Sequence, residues 1–169
     1  MRRITTWGLL PLLFSPLAAQ AAAEATDSTA PAWTRICEND AGEHPACVVE
    51  QAVTAMQQKN VVLRARFSRD ATPDRARVLF LVPLGLPLAS GLSLAVDASA
   101  PIILPFERCV PQGCSASAVL DGTALAQFFH GKTLTVRYAV SEKEGATISV
   151  PLAGLAAAFD TLSKQVSSP

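Results

Sequence analysis

The run PFERCVPQGCSASAVL, residues 105–120, sets Cys109 and Cys114 five positions apart around a Pro-Gln-Gly turn. An alternating small/apolar strand follows it directly. A bond between the two sulfurs would clasp the proline-bounded segment before the turn to the strand after it, which favours β-structure over helix here. Cys37 and Cys47 form a second close pair, around a segment containing Asn39-Asp40, Gly42 and Pro45, all turn formers. Four cysteines allow three pairings, and proximity favours Cys37–Cys47 with Cys109–Cys114. In the loop-entropy account each such short loop contributes roughly 2–3 kcal/mol. The histidines, His44 and His130, show no zinc-ligand spacing with these cysteines.

Disulfides require an oxidising compartment, and the N-terminus supplies the route to one. Arg2 and Arg3 form a positive start, Trp7 to Leu17 is a short apolar core, and Ala19-Gln20-Ala21 and Ala21-Ala22-Ala23 fit a signal-peptidase site. The core is shorter than the roughly 20 residues of a membrane span, and Pro11 and Pro16 interrupt it. Residues 1–23 are therefore expected to be a cleaved signal peptide and 24–32 a flexible lead-in. One domain is expected over 33–162, with a fraying tail over 163–169. Residues 79–94 are very apolar but are broken by Pro83, Gly85, Pro87 and Gly91, so no transmembrane segment is expected in the mature chain. Cleavage would lower the basic count from 14 to 12 against 14 acidic residues, a net charge of about −2. That balance gives no general attraction to nucleic acid or anionic lipid.

Along the domain, Trp33 to Ile36 reads as a first strand, and 47–56 as a strand in preference to a helix. In 61–67, Leu63, Ala65 and Phe67 alternate with Arg64 and Arg66, the period-2 signature of a half-buried strand. After the RDATPD turn, 76–82 returns as its hairpin partner. Residues 92–97 alternate again, and 101–106, bracketed by prolines, suits an edge strand or a crossover. Residues 115–120 form a short strand. Residues 123–130 read as a helix, capped by Asp121 or Thr123 and ended by Gly131. Residues 133–140 and 147–152 form a second hairpin, and 155–162 a closing helix with Leu155, Phe159 and Leu162 on one stripe. The expected fold is all-β: an antiparallel β-sandwich, Ig-like or jelly-roll-like, of about seven or eight strands. One or two short helices and two local disulfides complete it.

Candidate chemistry is sparse. No G-x-S-x-G elbow or glycine-rich phosphate loop is present, and a histidine base would have to be His44 or His130. Glu142 and Glu144 share a turn with Lys143, which reads as a solvated turn. The C-x4-C spacing of Cys109 and Cys114 is not the C-x-x-C of thiol–disulfide oxidoreductases. The expectation is a protein that is not an enzyme and holds no cofactor or metal. A redox factor working through Cys109–Cys114 is an alternative. The one local charge feature is Arg64, Arg66, Arg69, Arg75 and Arg77, with Asp70 and Asp74 in the turn between the two strands. Arg64, Arg66, Arg75 and Arg77 are the candidate interaction surface. They read either as a solvated face that keeps an edge from aggregating or as a contact for an anion or glycan.

The residues just described resemble the invasion-associated locus B (IalB) family. The resemblance is carried by VPLGLPLASGLSLAVD, PFERCVPQGCSASAVL and LAQFFHGKTLTV in that order, by the early Trp33 with Cys37 and Cys47, and by the ending LAGLAAAFDTL. It spans about Trp33 to Leu162. The Glu43-His44-Pro45 loop departs from the family pattern. The resemblance implies an exported protein of Gram-negative bacteria, in the periplasm or associated with the outer membrane or cell exterior. It also implies a link to host-cell invasion, with another envelope protein or a host-surface protein as partner. It supplies no catalytic residues to carry over.

Overall fold

A computed structural model of the chain describes residues 33–38, 46–55, 60–72 and 74–162. The expected signal peptide (1–23), lead-in (24–32) and C-terminal tail (163–169), and His44, lie outside the described residues. Among the described residues the domain is built from ten strands and two helices. A six-stranded antiparallel sheet runs in the order β1 (Thr34–Glu38), β2 (Ala46–Thr54), β3 (Val61–Arg69), β4 (Ala76–Val82), β8 (Gly113–Leu120) and β7 (Arg108–Val110). A four-stranded sheet runs β10 (Gly145–Pro151), β9 (Thr133–Ala139), β5 (Leu92–Val96) and β6 (Ile102–Leu104). The expectation of two antiparallel sheets, two short helices and two disulfides holds. The strand number exceeds seven or eight because the proline-bracketed segment 101–106, read as an edge strand or a crossover, supplies edge strand β6, and because β7 has three residues, too few to display an alternation.

The period-2 pattern determines which face of each strand is buried. Leu63, Ala65 and Phe67 of β3 stand opposite Val53, Gln51 and Val49 of β2, and Ala65 and Phe67 stand opposite Phe80 and Val78 of β4. These residues line the inner face. Leu92 and Leu94 of β5, Leu134 and Val136 of β9 and Ile148 and Val150 of β10 come from the second sheet to the same continuous core. Phe67 lies at its centre, with the Trp33 ring edge-on at 5.4 Å and the Phe128 ring at 5.6 Å. Two polar contacts join distant parts of the chain within this core. The Trp33 indole N–H donates to the Pro151 carbonyl at 3.0 Å. The Tyr138 hydroxyl donates to the Val62 carbonyl at 2.9 Å, and burial pushes this phenol above its usual pKa.

Helix α1 (Gly122–His130) carries the chain from the first sheet to the second. Asp121 is its N-cap, with Oδ1 accepting from the Ala124 amide at 3.2 Å, and Gly131 ends it. The ending depends on space, because Gly131 has an ordinary φ of −69° and a Cβ there would collide with Val96. Helix α2 (Leu155–Asp160) is shorter than its apolar stripe implies, because the last stripe position, Leu162, falls into a turn. Its Phe159 packs 5.2 Å from Phe129, and the Arg69 guanidinium sits 4.9 Å from the Phe159 ring.

Candidate interaction surface

Both disulfides form between residues directly opposite each other in neighbouring antiparallel strands. Cys37 of β1 is bonded to Cys47 of β2, and Cys109 of β7 to Cys114 of β8. Strands β1 and β7 are the two outer strands of the six-stranded sheet. With five and three residues, they have few ladder hydrogen bonds to hold them. One covalent bond per edge does what the short ladders cannot, and it discourages each edge from opening to pair with another chain. Gly113 belongs to the same clasp. Its φ of +141° favours glycine, and a Cβ would overlap the Val82 carbonyl oxygen on β4. The Pro-Gln-Gly turn is thus dictated by the strand beneath it as well as by its own geometry.

The arginines lie on the opposite, outer face of this sheet. Arg64 and Arg66 are two residues apart on β3, and across from them on β2 stands Glu50, which is 5% exposed. Arg64 Nη1 donates to Glu50 Oε1 at 2.7 Å and Arg66 Nε to Oε2 at 2.5 Å. Arg66 also lies 3.9 Å from Glu38. Arg77 of β4 shares this face one row further on, opposite Ser68, and lies 3.7 Å from Asp70. Arg75 is exposed in the turn before β4, and Arg69 points the other way, onto Phe159. The structure brings Arg64, Arg66 and Arg77 onto one surface and leaves Arg75 at its rim. It also supplies a carboxylate to each of the three. Glu50 escaped sequence reasoning, although a carboxylate inside CVVEQAV is itself a signal: a charge amid valines needs a partner.

The other candidates are apart from one another. Glu142 and Glu144 sit in the β9–β10 turn and line, with Lys143 and Arg137, a shallow recess of about 420 Å³ that contains no histidine or cysteine. His130 closes α1 and borders a second recess beside Asp97. Asp97 holds a φ of +49° and accepts from the Lys132 and Thr133 amides at 3.1 and 2.9 Å, which keeps its carboxyl below the usual range. Among the described residues no three metal-ligating side chains come together, and no helix is long and apolar enough to cross a membrane.

The apolar side chains left in solvent are unevenly placed. Of the six large ones among the described residues, Leu84 (52%), Leu88 (45%), Ile102 (48%) and Ile103 (67%) belong to the β4–β5 loop and to β6. The loop leans on the strand: Gly91, whose amide donates to Leu88, lies against Ile103 and Leu104.

These features define a class of protein: a small two-sheet β-domain with both edges of its larger sheet closed by disulfides and a compensated outer face. The chain belongs to the invasion associated locus B (IalB) protein family, whose model matches residues 33–163. It is 32% identical over 131 residues to invasion protein B homologs of Brucella abortus strain 2308 and of its biovar 1 strain 9-941, covering 77% of this chain and 75% of each of theirs. The crystal structure of invasion associated protein B from Bartonella henselae has the same fold. It superposes with a TM-score of 0.68 at 24% identity, over 79% of this chain and 92% of that one.

Proposed function

We propose that the protein is exported to the cell envelope, where it acts by contact with another protein of the envelope or of a host-cell surface, without catalysing a reaction. The observation that carries this reading is the share of exposed large apolar side chains that falls on two neighbouring elements, Leu84 and Leu88 on the β4–β5 loop and Ile102 and Ile103 on β6. Several large apolar side chains left in solvent on neighbouring elements, on a domain with its own core, are a mark of a protein-binding site. Membership of a family named for invasion supports the same reading, as do the relatives named invasion protein B homologs. The N-terminal signal-peptide pattern and the two disulfides favour an oxidising compartment.

The test is a photo-crosslinking residue at position 103 in the native organism, combined with fractionation of the envelope. A processed chain in the periplasmic or outer-membrane fraction, crosslinked to a discrete protein, is the expected outcome. Replacing Leu88 and Ile103 by lysine should abolish the crosslinked band formed from a second probe at position 84, with the far-ultraviolet spectrum unchanged. A cytoplasmic, unprocessed chain, or a band indifferent to those lysines, would overturn the reading.

A further inference from the structure

The two disulfides share a position at the sheet edge but differ in their electrostatic surroundings. Cys109 is exposed, while its partner Cys114 is 2% exposed and part of the apolar core. Cys37 is likewise exposed. Its partner Cys47, however, takes a hydrogen bond on Sγ from Arg35 Nη2 at 3.4 Å. Arg35 is two residues before Cys37 on β1 and projects to the same face of the strand. Its Nε is buried with no hydrogen-bond partner, and among the described residues no carboxylate forms an ion pair with it. The contrast with Arg64 and Arg66, both answered by Glu50, is complete. A part-buried guanidinium with no counter-ion among the described residues stabilises any anion formed beside it.

We propose that Cys37–Cys47 is a thiol-exchange site, opened by a dithiol reductant that attacks Cys37, with Arg35 stabilising the departing Cys47 thiolate. The incoming thiolate attacks Cys37 Sγ, the Cys37–Cys47 bond breaks, and its electron pair leaves on Cys47 Sγ beside Arg35. The second thiolate of the reductant then attacks the mixed disulfide and releases Cys37 Sγ, which takes a proton. The protein bridge gains two electrons and the dithiol becomes a disulfide. Exchange is faster when the leaving thiol has a lower pKa, and a neighbouring arginine lowers a thiol pKa from its usual value near 8.5. At the other bridge, attack on exposed Cys109 would expel the Cys114 thiolate into an apolar core, where it is disfavoured. Opening Cys37–Cys47 unties β1 while leaving β7 clasped, so one edge of the six-stranded sheet is conditional and the other permanent. Arg35 acts here through Cys47 and is a positioning residue.

The experiment follows both bridges of the mature chain during reduction by dithiothreitol, with alkylation and peptide mass mapping at timed intervals. Cys37 and Cys47 should become alkylated about tenfold faster than Cys109 and Cys114. Arg35→Met should slow the opening of Cys37–Cys47 about tenfold with the Cys109–Cys114 rate unchanged, and Arg35→Lys should keep most of the wild-type rate. Equal rates for the two bridges, earlier opening of Cys109–Cys114, or an unchanged Cys37–Cys47 rate in a folded Arg35→Met chain would overturn the proposal. Should Arg35→Met not fold, the selectively reduced wild-type chain decides. Cys47 should then alkylate about tenfold faster than Cys37 at neutral pH, and equal reactivity would overturn the proposal.

Discussion

At the scale of single residues, Glu50 governs the surface that the arginines form. Its carboxylate is buried and engages two guanidiniums that are each about a third exposed (side chains 37% for Arg64 and 30% for Arg66). Replacing it by glutamine removes the charge from both bonds and leaves two half-buried cations facing each other. Glu50→Gln should therefore lower the unfolding free energy by about 1–3 kcal/mol, towards the low end because the arginines can turn to water. Urea denaturation would read this as a lower midpoint with an unaltered slope, and an unshifted midpoint would show that the pair contributes nothing. The alternation of Arg64 and Arg66 along β3 was legible in the sequence. Their neutralisation was not, because Glu50 lies 14 and 16 residues away and reaches them only through the β2–β3 register.

At the scale of elements, the long alternating strands and the capped helix follow from local rules. The hairpins β3–β4 and β9–β10 were readable from period-2 runs around turn residues, and α1 from Asp121 and Gly131. Strand β6 was readable as an edge strand or a crossover from the prolines that bracket it, but β7 was not, since three residues carry no period and take their conformation from the strand they join. Asp97 shows how such elements are tied. It follows β5, and its carboxylate accepts from the two amides that lead into β9. Those amide bonds lower its pKa from the ordinary 3.8, with the Lys132 amide the larger cause. A depressed carboxyl contributes stability that is full above the unfolded value and is lost as pH falls through the lower folded one. Wild-type stability should thus lose this contribution only below about pH 3.8. Asp97→Asn should flatten that part of the acid titration measured by denaturant midpoint against pH. An identical acid limb in wild type and variant would remove Asp97 from the account.

At the scale of the molecule, the two sheets are held by packing around Phe67 and by a few long-range polar contacts. The Trp33–Pro151 bond spans 118 positions and joins the start of the described chain to the far edge of the second sheet. Trp33→Phe keeps an aromatic ring beside Phe67 but loses that donor. A single partly exposed hydrogen bond is worth about 1 kcal/mol. The variant should unfold at a correspondingly lower urea concentration while keeping its far-ultraviolet spectrum, and a wild-type midpoint would show the bond to be dispensable.

The sequence by itself determined the β-class, the two close cysteine pairs, the main hairpins and the family, because these depend on short-range periodicity, turn chemistry and ordered motifs. Only the tertiary structure decided that both disulfides guard opposite edges of one sheet, that Glu50 answers Arg64 and Arg66, and that Arg35 stands beside Cys47. Strand order and cross-strand register bring together residues that no local pattern relates.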